Sequence, residues 1–173
     1  MAFNVTDFNN QYSGDYARPN LFEVQIGDWE SKMFVKAASI PATSVGLVEV
    51  PYQNRKLKVP GDRTFADWTA TVINDQDYGL REALLMWQRN ITGFAGMNSI
   101  WGVSEAHKSI VIQPYNRDGT VATFIHTVYG WPSEVGSIEL AWDTIDSVQE
   151  YTVTFAVSWD DGGTGDTVDV LSG

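Results

Sequence analysis

No cysteine occurs among the 173 residues, which removes disulfide frameworks, thiol nucleophiles and thiolate zinc sites together. Histidine is nearly as scarce: His107 and His126 lie on different segments, and neither has a partner at the i, i+4 spacing of a helical metal site. Both read as structural. No stretch reaches the roughly 18 apolar residues of a membrane span, and no basic flank followed by an apolar run opens the chain. It is therefore expected to be soluble and made in a cytoplasm. There is no G-x-S-x-G elbow and no Gly-rich loop ending in Lys followed by Ser or Thr, so hydrolase and nucleotidase readings lose their support. The expectation is a protein that is not an enzyme and holds neither metal nor cofactor.

Basic residues are missing from one end. The chain carries 22 acids against 11 bases, a formal charge of −11. All eleven bases lie in 1–117, where twelve acids nearly balance them, and from Asp118 onward ten acids stand with no Lys or Arg. Clamping phosphates needs the opposite sign, because affinity for nucleic acid comes mainly from Lys and Arg displacing counterions. Ordinary DNA binding is not expected, although an acidic wall suits DNA that must pass without being held.

What is present suffices for one domain: a chain of this length and 43% hydrophobic content buries roughly 70% of its unfolded surface. Residues 1–18 are polar with scattered aromatics and read as a lead-in. Phe22, Val24 and Ile26 then alternate with Glu23 and Gln25, the period of a half-buried strand. Strands are predicted over Lys32 to Ile40, Leu47 to Gln53, Asn54 to Val59 and Trp68 to Asn74. Pro51 marks an edge or a protruding hairpin, and Pro60 with Gly61 fits the central positions of a type II turn. Leu80, Leu84, Trp87 and Ile91 form one helical stripe, with Asp75 or Asp77 as N-cap and Gly93 as stop. Further strands are predicted over Lys108 to Tyr115, Thr120 to Trp131 and Glu150 to Trp159, and residues 160–173 read as a flexible acidic, Gly-rich tail. The pattern favours a single antiparallel β-sandwich or barrel with one flanking α-helix.

Most constellations have a plain reading. The pairs Asp75 with Asp77 and Asp143 with Asp146 imitate a glycosidase couple, but 22 acids offer such pairs by chance, and the first suits helix capping. Residues 162–166 resemble half of a calcium repeat in a single copy. The seven tryptophans suit a core better than a sugar-stacking platform, which leaves a carbohydrate-binding sandwich as a remote alternative. The stretch Asn54 to Asp67 is the most informative. It sets Arg55, Lys56, Lys58 and Arg63 against Asp62 and Asp67, a basic hairpin on an acidic protein. Such a hairpin can dock on the acidic surface of another copy, or its lysines can simply guard a solvated edge.

Three blocks carry a resemblance: ARPNLFEVQI at 17–26, NRKLKVPGDRTFADWTATVIND at 54–75 and YGWPSEVGSIELAWD at 129–143. In these words, their order and their spacing, the chain resembles the tail tube proteins of contractile-tailed bacteriophages over roughly 14–159. The resemblance implies a sandwich or barrel assembled as hexameric rings that stack into a tube within a contractile sheath, with kinship to type VI secretion ring proteins and bacteriocin tubes. It implies strands of neighbouring subunits joined in an inner barrel and a hairpin reaching the next ring. That assigns Arg55, Lys56 and Lys58 to an inter-ring contact, and Pro60, Gly61, Asp62 and Arg63 to a turn or interface beside it. Implied partners are further copies of the chain, the sheath, baseplate and terminator proteins, and the tape measure protein and viral DNA in the lumen, all in a virion tail. A baseplate or tail-completion homologue, or a type VI or bacteriocin-like tube ring protein, is the alternative.

If each of six subunits gives four strands, about 24 strands spaced about 4.8 Å and tilted about 45° close at a backbone diameter near ~50 Å. Inward side chains leave about 40 Å, wider than duplex DNA. Acids facing such a lumen repel phosphates weakly through salty water, and Glu23, on the polar face of the first strand, is the candidate for that position.

Overall fold

A computed structural model describes residues 17–27, 35–93, 103–122, 124–142 and 147–161. Outside them lie most of the lead-in, Lys32 to Phe34, Trp29, Trp101, Asp143, Asp146 and the glycine-rich tail. Six antiparallel strands make the main sheet: β1 (Phe22–Ile26), β2 (Val35–Ala38), β5 (Trp68–Ile73), β6 (Lys108–Pro114), β7 (His126–Val135) and β8 (Glu150–Asp160), in the order β1-β6-β7-β8-β5-β2. A separate two-stranded ribbon is formed by β3 (Thr43–Tyr52) and β4 (Arg55–Phe65). The helix α1 spans Gly79–Thr92, and a short α2 spans Val103–Ala106.

Period-two alternation decides which face is buried. Val24 and Ile26 of β1, Ile110 and Ile112 of β6, and Tyr151, Val153 and Phe155 of β8 point into one core, where removing large apolar side chains from water is the dominant favourable term. The helical stripe joins them. Leu84 and Trp87 are buried, Leu80 and Ile91 pack against the cluster, and Trp87 meets Phe155 at a centroid distance of 6.2 Å. The indole N–H of Trp87 donates to the Ala106 carbonyl at 3.1 Å, and that of Trp68 to Ser39 at 2.5 Å. Both buried donors are thereby satisfied.

The α1 termini divide the prediction. Gly93 closes the helix in the left-handed region at φ 69, its N–H on the Arg89 carbonyl, as a glycine there allows. At the other end Tyr78, at φ 56, is the cap residue and makes no side-chain cap bond. Asp75 accepts from the Gly79 N–H at 3.2 Å instead, so it serves the helix end from outside the cap position.

Three further expectations are corrected. Pro60 and Gly61 are not a turn: they lie within β4, Pro60 opposite Leu47, because the strand expected to end at Val59 runs on to Phe65. The strand expected from Thr120 begins only at His126; Thr120 and Val121 belong to a tight turn in which Asn116 accepts from Gly119 at 3.0 Å and Tyr115 bridges Val121. The last strand does not keep its core period to the end. The pairing shifts between Tyr129/Gly130, and Trp159 emerges on the surface in a stack with Tyr129 and His107.

Candidate assembly interface

The ribbon positions the basic residues. Gln53 and Asn54, at φ 43 and 61, form a two-residue connection of the left-handed kind that matches strand twist. Pairing runs from Tyr52↔Arg55 through Val50↔Leu57 and Val48↔Val59, so alternation sorts the ribbon into two faces. One carries Val48, Val50, Tyr52, Leu57 and Val59, with Arg55 at the tip. The other carries Glu49, Lys56 and Lys58 with Leu47, Pro51 and Pro60. Lys56 is tied to Glu49 at 2.6 Å. Every residue of β3 is exposed, and Tyr52, Leu57 and Leu47 are each more than half exposed. Two-stranded ribbons are marginal alone in water, and an exposed apolar face of this size marks an interaction surface.

The ribbon's base is fastened to the sheet. The Ala66 N–H donates to the Ala42 carbonyl, and Ser44 and Thr64 share a hydroxyl bond of 2.7 Å. Gly46 and Gly61 face each other at a pairing irregularity, where a Cβ on Gly61 would stand 3.2 Å from the Gly46 carbonyl carbon. Arg63 donates to Asp160 at 2.9 Å; the Asp160 side chain is only 2% exposed, that of Arg63 50%. His126 is buried nearby, with Nε2 3.9 Å from Asp160.

The structure thus brings Arg55, Lys56, Lys58, Pro60, Gly61, Asp62 and Arg63 together on one ribbon and leaves Glu23 apart, on the edge strand β1. Glu23 is half-buried, and its carboxylate accepts a hydrogen bond from the Tyr115 hydroxyl. Among the described residues no group of three His, Cys, Asp or Glu converges on a metal position.

Sequence reasoning missed two apolar features. A cavity of about 580 Å³ opens where the edge strands β1 and β2 approach without pairing, lined by Phe22, Ile40, Ile112, Pro114, Ala122 and Phe124 among others. In the segment after β7, Leu140 is 76% exposed and Trp142 fully so. The available signal for Trp142 was its company, Glu139 and Asp143 without alternation, which no core strand shows.

The geometry of a nearly closed sheet with an uncovered ribbon is matched by known proteins. The family model for phage tail tube proteins matches residues 3–158. The chain belongs to the phage tail tube protein family. It is 39% identical to tail tube protein gp19 of Enterobacteria phage T4 over 153 residues, 85% of this chain and 92% of that protein. A tail tube protein of contractile phages, it is a structural component of the virion tail. Its fold also matches the tube-terminating cap of the anti-feeding prophage, with TM-score 0.66 at 17% identity over 86% of this chain and 92% of the other. A chain of the sheath–tube complex of the PVC extracellular contractile injection system matches with TM-score 0.63 at 17% identity, over 92% and 97%.

Proposed function

We propose that copies of this tail tube protein, each a single tube unit, form hexameric rings that stack into the inner tube and conduct the genome when the sheath contracts. The observation that carries this reading is the ribbon's apolar face, which nothing among the described residues of its own chain covers. In a ring, neighbouring strands cover that face and complete the open edges β1 and β2, removing edges that are a liability on a monomer. Arg55, Lys56 and Lys58 contact the adjacent ring, with Pro60 to Arg63 at the root of that contact. The 39% identity to a tail tube protein over nearly its whole length supports a tube body over a terminator or baseplate ring. Further partners are the sheath, terminator and baseplate proteins, with the tape measure protein and DNA in the bore.

Placing a carboxylate on the ribbon tests this. Val50→Asp with Leu57→Asp buries two unpaired charges in any covered interface. The variant is expected to keep its far-UV circular dichroism and sediment as a monomer where the wild type assembles; assembly at wild-type concentrations contradicts the reading.

The excess of acids suits a bore that does not hold phosphates, and Glu23 is the acid assigned to it. Glu23→Lys is expected to slow genome ejection and make its rate depend on salt. An unchanged rate at all ionic strengths removes Glu23 from that role.

A further inference from the structure

The registers place the missed cavity and the exposed Trp142 at opposite ends of the sheet. Phe22↔Pro114, Ile112↔His126 and Ala38↔Ala70 mark the cavity end, where β1 and β7 start and β2 and β6 finish. Ile73↔Glu150 and Val135↔Val153 mark the other, where β5 and β7 finish and β8 starts. Leu140 and Trp142 follow β7 at that second end. One molecule therefore carries an apolar projection at one end and an apolar hollow at the other. Such a pair is self-complementary only between copies arranged head to tail, the arrangement that generates rings and filaments.

Charge points the same way. The ribbon leaves the sheet at the cavity end, between β2 and β5, and carries four bases against two acids over 43–65. Residues 136–149 contain three acids and no base. A copy presenting its 136–142 segment to the cavity brings Glu139 beneath the neighbour's basic ribbon, a pairing that fixes orientation and disfavours the reverse contact. A cavity of about 580 Å³ lies within the range of roughly 300–1,000 Å³ typical of sites that enclose an apolar guest. Buried aromatics at the centre of an interface are its commonest energetic anchors.

We infer that Trp142, with Leu140, inserts into the β1–β2 cavity of a second copy of this chain, so that this contact sets the polarity of the assembly. The inference rests on the self-assembly reading above and names the contact it uses.

The cysteine-free sequence makes the test clean. Cysteines are introduced at Ala141 beside the projection and at Ala122 in the cavity, leaving Trp142 in place, and assembled material is treated with a short bis-maleimide. The double variant is expected to yield a ladder of covalent multimers on a denaturing gel, while each single variant stops at the dimer. Well-formed tubes without a ladder mean that something else fills the cavity, which overturns the inference and leaves the tube reading intact. Where the double variant fails to assemble, Trp142→Phe and Trp142→Asp decide. Phe is expected to assemble like the wild type, and Asp to raise the concentration needed by more than about tenfold; an Asp variant assembling normally overturns the inference. A wild-type chain that never assembles overturns the tube reading itself.

Discussion

Single side chains show where alternation was a sound guide and where it failed. Tyr151, Val153 and Phe155 were legible as core because the period of two runs unbroken through them, and all three are buried. Trp159 continues the same written pattern yet reaches the surface, since an irregularity in pairing against β7 resets the faces, and such a shift leaves no mark in the sequence of β8 alone. Tyr151 also carries a measurable consequence. Burial pushes its hydroxyl up to about 12, and among the described residues the hydroxyl has no hydrogen-bond partner. The folded value lies above that of an unfolded tyrosine, about 10, so in that interval the folded chain holds a proton the unfolded chain has lost. Its contribution to stability is complete below about pH 10 and is lost as pH rises toward about 12. Tyr151→Phe keeps the ring beneath Arg81, whose guanidinium lies 5.0 Å from its centroid. Denaturant titrations are expected to show stability near neutral pH within about 1 kcal/mol of wild type and a shallower fall between pH 10 and 12; an identical alkaline fall contradicts the assignment.

At the scale of elements, the helix and most strands were legible because each has one dominant period, and the hairpin reverses at Gln53-Asn54, where two predicted strands meet, while the hairpin's length was not legible. Pro60-Gly61 has the composition of a turn, but a strand at the edge tolerates proline, and Gly61 is needed for the close approach to Gly46. The reversal itself uses Gln53-Asn54, a weaker signal than Asn-Gly. Nor could the sequence show that Arg63 ties the ribbon to Asp160, 97 residues later. Because Arg63 is half exposed, breaking the pair is expected to cost about 1 kcal/mol, well short of the roughly 3–5 kcal/mol of a fully buried pair. Asp160→Ala should thus leave global unfolding nearly unchanged while amide exchange quickens along β3 and β4. Uniform acceleration across the main sheet would show instead that Asp160 supports the core.

The whole molecule is an incomplete object. Its sheet ends in two edges that approach without pairing, its ribbon leaves apolar residues in water, and a tryptophan stands fully exposed. Each is unfavourable for a solitary chain and consistent with strands and side chains supplied by neighbours. The basic hairpin and the charge asymmetry were legible in the sequence, whereas the cavity was not, since Phe22, Ile40, Ile112 and Phe124 are brought together only by the curl of the sheet. Electron microscopy of the purified chain at high concentration, with and without a baseplate seed, tests the central claim most directly. The account predicts stacked rings of six subunits around a uniform bore of about 40 Å; dispersed monomers under every condition would contradict it.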